Sequence, residues 1–167
     1  SSSKILAKER TSMTELQVGD FAPDFVLPVA GGGSADLAAL RGKSIVLYFY
    51  PKDDTAGCTA EAVAFTEMLP EFESAGAVII GISPDPVARH DKFATKHGLK
   101  IILASDEDHH VSEAYGVWRE KSMYGRTFMG ITRASFLVGR DGRIVRAWPK
   151  VKVEGHAQEV LDAARTL

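Results

Sequence analysis

The single cysteine of this 167-residue chain, Cys58, stands where the sequence favours a reactive thiol. The hydrophobic run 44–50 leads into a turn-forming segment, 51–57, and a helical pattern follows. The thiol is therefore predicted where a strand ends and a helix begins. The amide donors and partial positive charge of a helix N-terminus stabilise a thiolate, the nucleophilic form of cysteine. A lone cysteine is otherwise more often a small buried hydrophobe, so its neighbours must decide between these interpretations.

The elements that must position Cys58 alternate along the chain. Apolar, β-branched runs predict buried strands, and apolar residues at three- and four-residue spacing predict helices. Strands are predicted over 43–50, 77–82 and 101–104, with a hairpin turning at Asp141-Gly142 between 134–138 and 143–148. Helices are predicted over 59–74, from Asp85-Pro86 to Gly98, over 109–115 and from about 155 to 167.

Individual residues set the predicted limits of these helices. Pro70 predicts a kink or an early end within 59–74. Asp85 is predicted as an N-cap with Pro86 at the first helical position, and Gly98 as the residue that ends that helix.

Strand–helix–strand units followed by a hairpin and a terminal helix predict an α/β fold. We expect a mixed central sheet with helices on both faces and an N-terminal addition, an order that fits a thioredoxin-like fold. Cys58 would then lie at the carboxyl end of a strand, where open sheets of this class place their sites. Residues 13–167 are predicted to form one domain, and 1–12 a flexible extension, a processed remnant or an addition made for expression.

Composition narrows the possible partners. Hydrophobic residues make up 45% and charged residues 25% of the chain, and the net charge of −2 gives no reason to expect nucleic acid or an anionic membrane. No apolar run approaches the roughly 20 residues that span a bilayer, and no signal peptide is visible. One cysteine excludes an internal disulfide and a CxxC pair, so a reducing cytoplasm is the expected location.

Pro51, Thr55 and Cys58 form a PxxxTxxC pattern within the longer string 50–62. This string resembles the peroxiredoxins, and in particular their Q-type, or bacterioferritin comigratory protein, branch. The segments 18–25, 123–133 and 150–156 resemble further motifs of the same branch. The resemblance covers nearly all of residues 13–167, and it implies a thiol-dependent peroxidase that reduces hydrogen peroxide and organic hydroperoxides.

The resemblance also implies roles for the residues around the thiol. Thr55 would orient the peroxide, Pro51 would shield the sulfur, and Arg133 would stabilise the thiolate and the charge that develops as the O–O bond breaks. Glu61 would orient Arg133, and Tyr48 belongs to the surroundings of the site, although core packing is its simpler role.

Each of these residues has an ordinary alternative. Thr55 can simply cap a helix, and Pro51 can simply terminate a strand. Arg133 can be a surface arginine that precedes a strand, and Glu61 can be an exposed helix residue.

The chain departs from many Q-type members because it has no second, resolving cysteine. Many Q-type members have the resolving cysteine at one of two positions. Val63 occupies the first position here, and the second falls within 93–95, where there is no cysteine. We therefore expect a one-cysteine form whose oxidised thiol is reduced by thioredoxin, or by glutaredoxin with glutathione. Removal of a cysteine by engineering, for instance at Ala94, is the alternative. The resemblance suggests a monomer, and a non-catalytic redox sensor or thioredoxin-fold binding module is the alternative function.

Two remaining motifs do not indicate a cofactor or a metal. The glycines at 31–33 lack the pattern and the following helix of a phosphate-binding loop, so they predict only a turn. The run 106–110 is rich in acidic residues and histidines, but its adjacent histidines do not share a helix face as an i,i+4 pair does. A solvated helix start is the favoured interpretation, and we expect neither a metal nor a cofactor.

Overall fold

The computed structural model describes residues 16–167, so the predicted extension over 1–12 lies outside the described residues. Nine strands are present among the described residues, and in chain order they are β1 (Val26–Pro28), β2 (Ser34–Asp36), β3 (Ser44–Phe49), β4 (Ala77–Ser83), β5 (Ile102–Ser105), β6 (Trp118–Met123), β7 (Arg126–Ile131), β8 (Ala134–Val138) and β9 (Ile144–Trp148). The α-helices of the same region are α1 (Ala56–Glu67), α2 (Leu69–Ser74), α3 (Val87–His97), α4 (His110–Ala114) and α5 (His156–Ala164).

The central sheet has five strands in the order β5-β4-β3-β8-β9. The first three strands run parallel to one another, while β8 is antiparallel to both β3 and β9. This is the mixed sheet that the sequence predicts. The thioredoxin-like fold class is likewise confirmed, and β3 lies at the centre of the sheet, where it leads directly to Cys58.

Two apolar cores pack against opposite faces of the sheet because side chains alternate along each strand. Every residue of β3 is buried. Leu47 and Phe49 pack with residues of β1, β2 and α4, whereas Val46 and Tyr48 pack with residues of α1, α2, α3 and α5. The expected helices on both faces are therefore present. The N-terminal addition contributes the hairpin β1–β2, which packs on the same face of the sheet as α4.

The helices around the site differ in detail from those predicted. The segment 59–74 is divided into two helices, which confirms the break predicted at Pro70: α1 ends at Glu67, and Pro70 lies in the first turn of α2, where its missing amide donor costs little. Prediction of Asp85 as the N-cap of α3 was wrong: the N-cap is Pro86, and the Asp85 carboxylate accepts the Ser83 hydroxyl instead. Gly98 ends α3 in the left-handed region, at φ 62°, as predicted.

Two hairpins were not predicted. The strands β1 and β2 have three residues each and enclose the predicted turn at 31–33. The hairpin β6–β7 precedes the segment that carries Arg133, and it turns through Tyr124 and Gly125, both at positive φ. Across residues 16–167, no helix has the length and apolar character needed to cross a membrane.

Candidate active site

Cys58 is the third residue of α1, and the loop 50–55 joins the carboxyl end of β3 to this helix. Thr55 is the N-cap residue and has extended backbone angles, so the chain turns into the helix at this point. The first amides of a helix have no intrahelical acceptor and point toward its N-terminus. Because only 1% of Cys58 is exposed, its sulfur lies in a largely dry setting close to these donors.

Arg133 lies beside the sulfur although it is 75 residues distant in sequence. It occupies the two-residue connection between β7 and β8, and β8 is the antiparallel neighbour of β3. Its Nη2 donates to Sγ of Cys58 at 3.2 Å, while Nη1 donates to Oε1 of Glu61 at 2.6 Å. One planar guanidinium therefore joins the thiol to a carboxylate one helical turn further along α1.

Burial makes this ion pair electrostatically unusual. Desolvation raises the pKa of Glu61 to about 7, although the charge and hydrogen bonds of Arg133 oppose the shift. Burial acts to lower the pKa of Arg133, but the negative charges of Glu61 and Cys58 outweigh it and the net direction is upward. Arg133 thus remains a cation, and its hydrogen bonds to Glu61 and Cys58 fix its orientation.

Thr55 and Pro51 lie in the loop that joins β3 to α1. The Thr55 hydroxyl donates to the carbonyl oxygen of Lys52 at 3.0 Å, and it makes no capping hydrogen bond to α1. Thr55 is exposed and Pro51 is partly buried. The threonine therefore holds its own loop together, and it is an exposed residue beside the N-terminus that carries Cys58.

Tyr48 lies in the core beneath the site. Its ring is fully buried and stacks on Phe65 and Tyr50, with centroid separations of 4.8 and 5.5 Å. Burial raises the pKa of Tyr48, and the charges of Glu61 and Cys58 raise it further, so the phenol stays protonated. Its hydroxyl has no hydrogen-bond partner within residues 16–167.

Gly57 and Lys121 also belong to the surroundings of the sulfur, and sequence reasoning did not single them out. A Cβ atom at Gly57 would lie 3.3 Å from Nη2 of Arg133, so the glycine leaves room for the guanidinium. Burial lowers the pKa of Lys121, and repulsion from Arg133 lowers it further, whereas the thiol acts in the opposite direction. A glycine directly before Cys58 is the only sequence signal that pointed to either residue.

The other predicted positions have ordinary surroundings. Val63 and Ala94, two positions at which the sequence has no second cysteine, are partly buried in α1 and α3. In the run 106–110, the buried Asp106 carboxylate accepts hydrogen bonds from the amides of Val111 and Ser112 and from the Ser112 hydroxyl. This carboxylate therefore fixes the start of α4: the predicted helix start is present, but Asp106 is buried and not solvated because the amides and the hydroxyl of α4 replace its water.

The arrangement combines a thiol, a cation held in a fixed orientation and the hydroxyl of an exposed threonine. The structure brings together Cys58, Arg133 and Glu61 in direct contact, and it places Thr55 at the start of the same helix. A small oxidant that approached the sulfur would meet hydrogen-bond donors already oriented by other contacts. Preorganised donors of this kind stabilise charge that develops on a leaving oxygen.

Comparison with known proteins gives a consistent set of relatives. The model of the AhpC/TSA family matches residues 18–147. Peroxiredoxin Bcp of Bacillus subtilis (strain 168) is 43% identical over 152 residues, covering 91% of this chain and 97% of its own. Peroxiredoxin Bcp of Escherichia coli (strain K12) is 41% identical over 150 residues, covering 90% and 96%. A structure of peroxiredoxin Q from Xanthomonas campestris matches with a TM-score of 0.84 and 45% identity, covering 90% of this chain and 96% of its own.

Proposed function

This chain belongs to the AhpC/TSA family and is a thiol-dependent peroxidase of the bacterioferritin comigratory protein branch, and we propose that Cys58 is its peroxide-reducing residue. The proposed substrates are hydrogen peroxide and organic hydroperoxides. A structure of the related Xanthomonas campestris protein is described in terms of alkyl peroxide reduction activity, which supports the organic substrates.

The first chemical step transfers one oxygen atom to sulfur. The Cys58 thiolate attacks the terminal oxygen of ROOH, the O–O bond breaks, and the sulfur becomes a sulfenic acid. The electron pair of the broken bond leaves on RO⁻, which takes a proton from solvent to become ROH. Arg133 would donate a hydrogen bond to the oxygens as this charge develops, and Thr55 would orient the peroxide.

One observation carries the proposal: the Arg133 guanidinium contacts the Cys58 sulfur while Glu61 holds its other nitrogen. A redox sensor needs a reactive thiol but not a cation fixed in this way, and a binding module needs neither. Because Glu61 has 1% of its side chain exposed, water competes little for the contact that orients the arginine. Burying these two side chains costs desolvation free energy, so the pair is weak evidence of a stabilising role and better evidence of a role in the chemical step.

The second half of the cycle needs a thiol from another molecule, because Cys58 is the only cysteine. An external thiol attacks the sulfenic sulfur, water leaves, and a mixed disulfide forms. A second thiol then attacks this disulfide and releases the Cys58 thiolate. We propose thioredoxin, or glutaredoxin with glutathione, as the source of both thiols, the cytoplasm as the compartment, and a monomer as the working form.

Steady-state peroxide reduction tests the proposal. The protein is supplied in turn with thioredoxin and its reductase, with glutaredoxin and glutathione, and with dithiothreitol, using hydrogen peroxide or cumene hydroperoxide as oxidant. Turnover should occur with at least one donor and should be lost in Cys58→Ser, whose small change in size preserves folding. Turnover by the folded Cys58→Ser variant would contradict the role of Cys58, and rapid oxidation without turnover would favour a sensor.

A further inference from the structure

A buried polar cluster lies beneath the loop that carries Thr55, and the peroxidase chemistry does not use it. Asp53 is its centre, with 2% of its surface exposed, and His90 of α3 is fully buried. Asp53 accepts a hydrogen bond from the Tyr50 hydroxyl at 2.5 Å, and its second oxygen lies 2.5 Å from Nδ1 of His90. A carboxylate so far from water is stable only where such partners replace its hydration.

The partners of His90 determine where its protons lie. Nε2 lies 3.0 Å from the carbonyl oxygen of Ala104 in β5, and a carbonyl can only accept, so Nε2 donates. Nδ1 faces the carboxylate of Asp53 at 2.5 Å. The Asp53–His90 pair therefore joins the loop to α3 and, through the second ring nitrogen, to the edge strand β5.

The backbone of the loop is attached at the same point. The amide of Asp53 donates to Oδ2 of Asp85 at 2.7 Å, and the same oxygen accepts the Ser83 hydroxyl at 2.8 Å. Asp85 follows the end of β4, so this contact binds the loop to a second strand. Both the side chain and the main chain of Asp53 are therefore restrained by buried partners.

The next residue reaches across the surface to the same helix. Asp54 has a φ of 63°, and its two carboxylate oxygens bind Lys96 and His97, each at 2.8 Å. A groove of about 440 Å³ is lined by Asp53, Asp54 and several residues of α3. Apolar packing is thus interrupted between the loop and the helix, and polar bridges make the connection. Of these, the exposed Asp54 pairs are the weaker, because solvent screens them.

We propose that Asp53 and His90 are positioning residues that form a buried clamp, holding the loop 51–55 so that Thr55 and the first turn of α1 keep the geometry that peroxide requires. This inference rests on the proposed function. Neither residue touches the peroxide, and both act through the loop. A broken clamp should slow the reaction of Cys58 with peroxide, and it should also expose Cys58, of which only 1% is now exposed.

Two rate measurements on Asp53→Asn and His90→Asn test the clamp. The first is oxidation by hydrogen peroxide in a stopped-flow instrument, and the second is alkylation of Cys58 by iodoacetamide. Misplacement of reacting groups by about 1 Å costs about 10²-fold in rate, so we expect peroxide oxidation to fall by about 10- to 100-fold. Alkylation should become faster. A mere change in thiol ionisation would move both rates in the same direction, so the opposed response identifies positioning.

The control is Asp106→Asn, which removes charge from an equally buried carboxylate whose hydrogen bonds go to the first turns of α4 and not to the loop 51–55. It should leave both rates within twofold of wild type. The double variant of Asp53 and His90 should be no slower with peroxide than the slower single variant, because coupled residues are not additive. Tyr50→Phe deletes one donor to Asp53 without a charge change, and it decides the matter if the other variants do not fold.

Three results would overturn the clamp: an unchanged peroxide rate in Asp53→Asn, a parallel fall of both rates, or the same opposed response in Asp106→Asn. In Tyr50→Phe, the clamp predicts a smaller opposed response, and unchanged rates would contradict it. A wild-type protein that does not react with peroxide would refute the proposed function instead, so the two failures can be told apart.

Discussion

Replacing Arg133 with methionine should slow the oxidation of Cys58 even at a pH where the thiol is fully ionised. Methionine keeps a long, flexible side chain but has no guanidinium. The substitution therefore removes the donor that lies 3.2 Å from Sγ of Cys58, and it removes the partner of Glu61. Arg133→Lys should lose less, because it retains the charge. A single ammonium group nevertheless lacks the planar pair of nitrogens that meets both partners.

The magnitude follows from the distance and from the nature of the step. A full charge at 3.2 Å interacts by about 1 kcal/mol in water and about 5 kcal/mol at an effective dielectric constant near 20. Much of this attraction also stabilises the thiolate before reaction, and only the part that is stronger in the transition state accelerates it. Loss of one preorganised donor costs about 10²- to 10³-fold. We therefore expect about a 10²-fold slower reaction for Arg133→Met.

The assay is stopped-flow oxidation by hydrogen peroxide, repeated at increasing pH until the rate constant reaches a plateau. Arg146→Met is the matched control, because it also replaces an arginine with methionine. Arg146 lies on β9, where its guanidinium stacks over the ring of Trp148. Its plateau should equal that of wild type. A plateau rate constant for Arg133→Met within twofold of wild type would refute the reasoning. It would mean that Arg133 affects only the ionisation of Cys58 and not the reaction of the thiolate with peroxide.

Three further predictions concern Glu61, Gly57 and Gly81. The pKa of Glu61 in the folded protein, about 7, exceeds its ordinary 4.5, so the folded state retains a proton that the unfolded state releases. The free energy of unfolding should therefore fall by on the order of 3 kcal/mol as pH rises from 4.5 through 7. Urea titrations should show a flatter pH profile for Glu61→Gln, and an unaltered profile would contradict the raised pKa of Glu61. Gly57→Ala brings Cβ within 3.3 Å of the guanidinium and should slow peroxide oxidation while the melting temperature holds, whereas a wild-type rate would show that Arg133 tolerates the displacement. In Gly81→Ala, Cβ would lie 2.6 Å from the Tyr48 ring, so thermal denaturation should show a loss of about 1–3 kcal/mol; no loss would mean that the ring moves freely.

The central sheet and its connection to Cys58 could be predicted because their signals are local. The run 44–49 is continuous and apolar, as expected of a strand buried on both faces, and the strand is Ser44–Phe49. Asp141-Gly142 is a strong hairpin signal, and the strands beside it pair as predicted. Contact of Arg133 with Cys58 and Glu61 was expected only through resemblance to a family, since no spacing rule links positions 75 residues apart.

The hairpins and the buried clamp escaped prediction for physical reasons. The strands β1 and β2 are too short to establish an alternating pattern, and one ends in proline. Most of β6 and β7 is exposed or partly exposed, so little apolar periodicity marks them. Asp85 resembled an N-cap because a proline follows it, but buried donors from Ser83 and Asp53 compete for its carboxylate. Such competition is decided by tertiary contacts, which one segment of sequence does not contain.

Mass spectrometry of the reduced protein after one equivalent of hydrogen peroxide tests the central claim most directly. With dimedone present and thiols absent, the account predicts one adduct per chain, located on Cys58, because the only cysteine has no partner in its own chain. Without dimedone, excess peroxide should carry Cys58 to sulfinic acid. A rapid, quantitative disulfide dimer at low protein concentration would contradict the account, since it would mean that two chains resolve each other and that an external reductant acts only on the resulting disulfide.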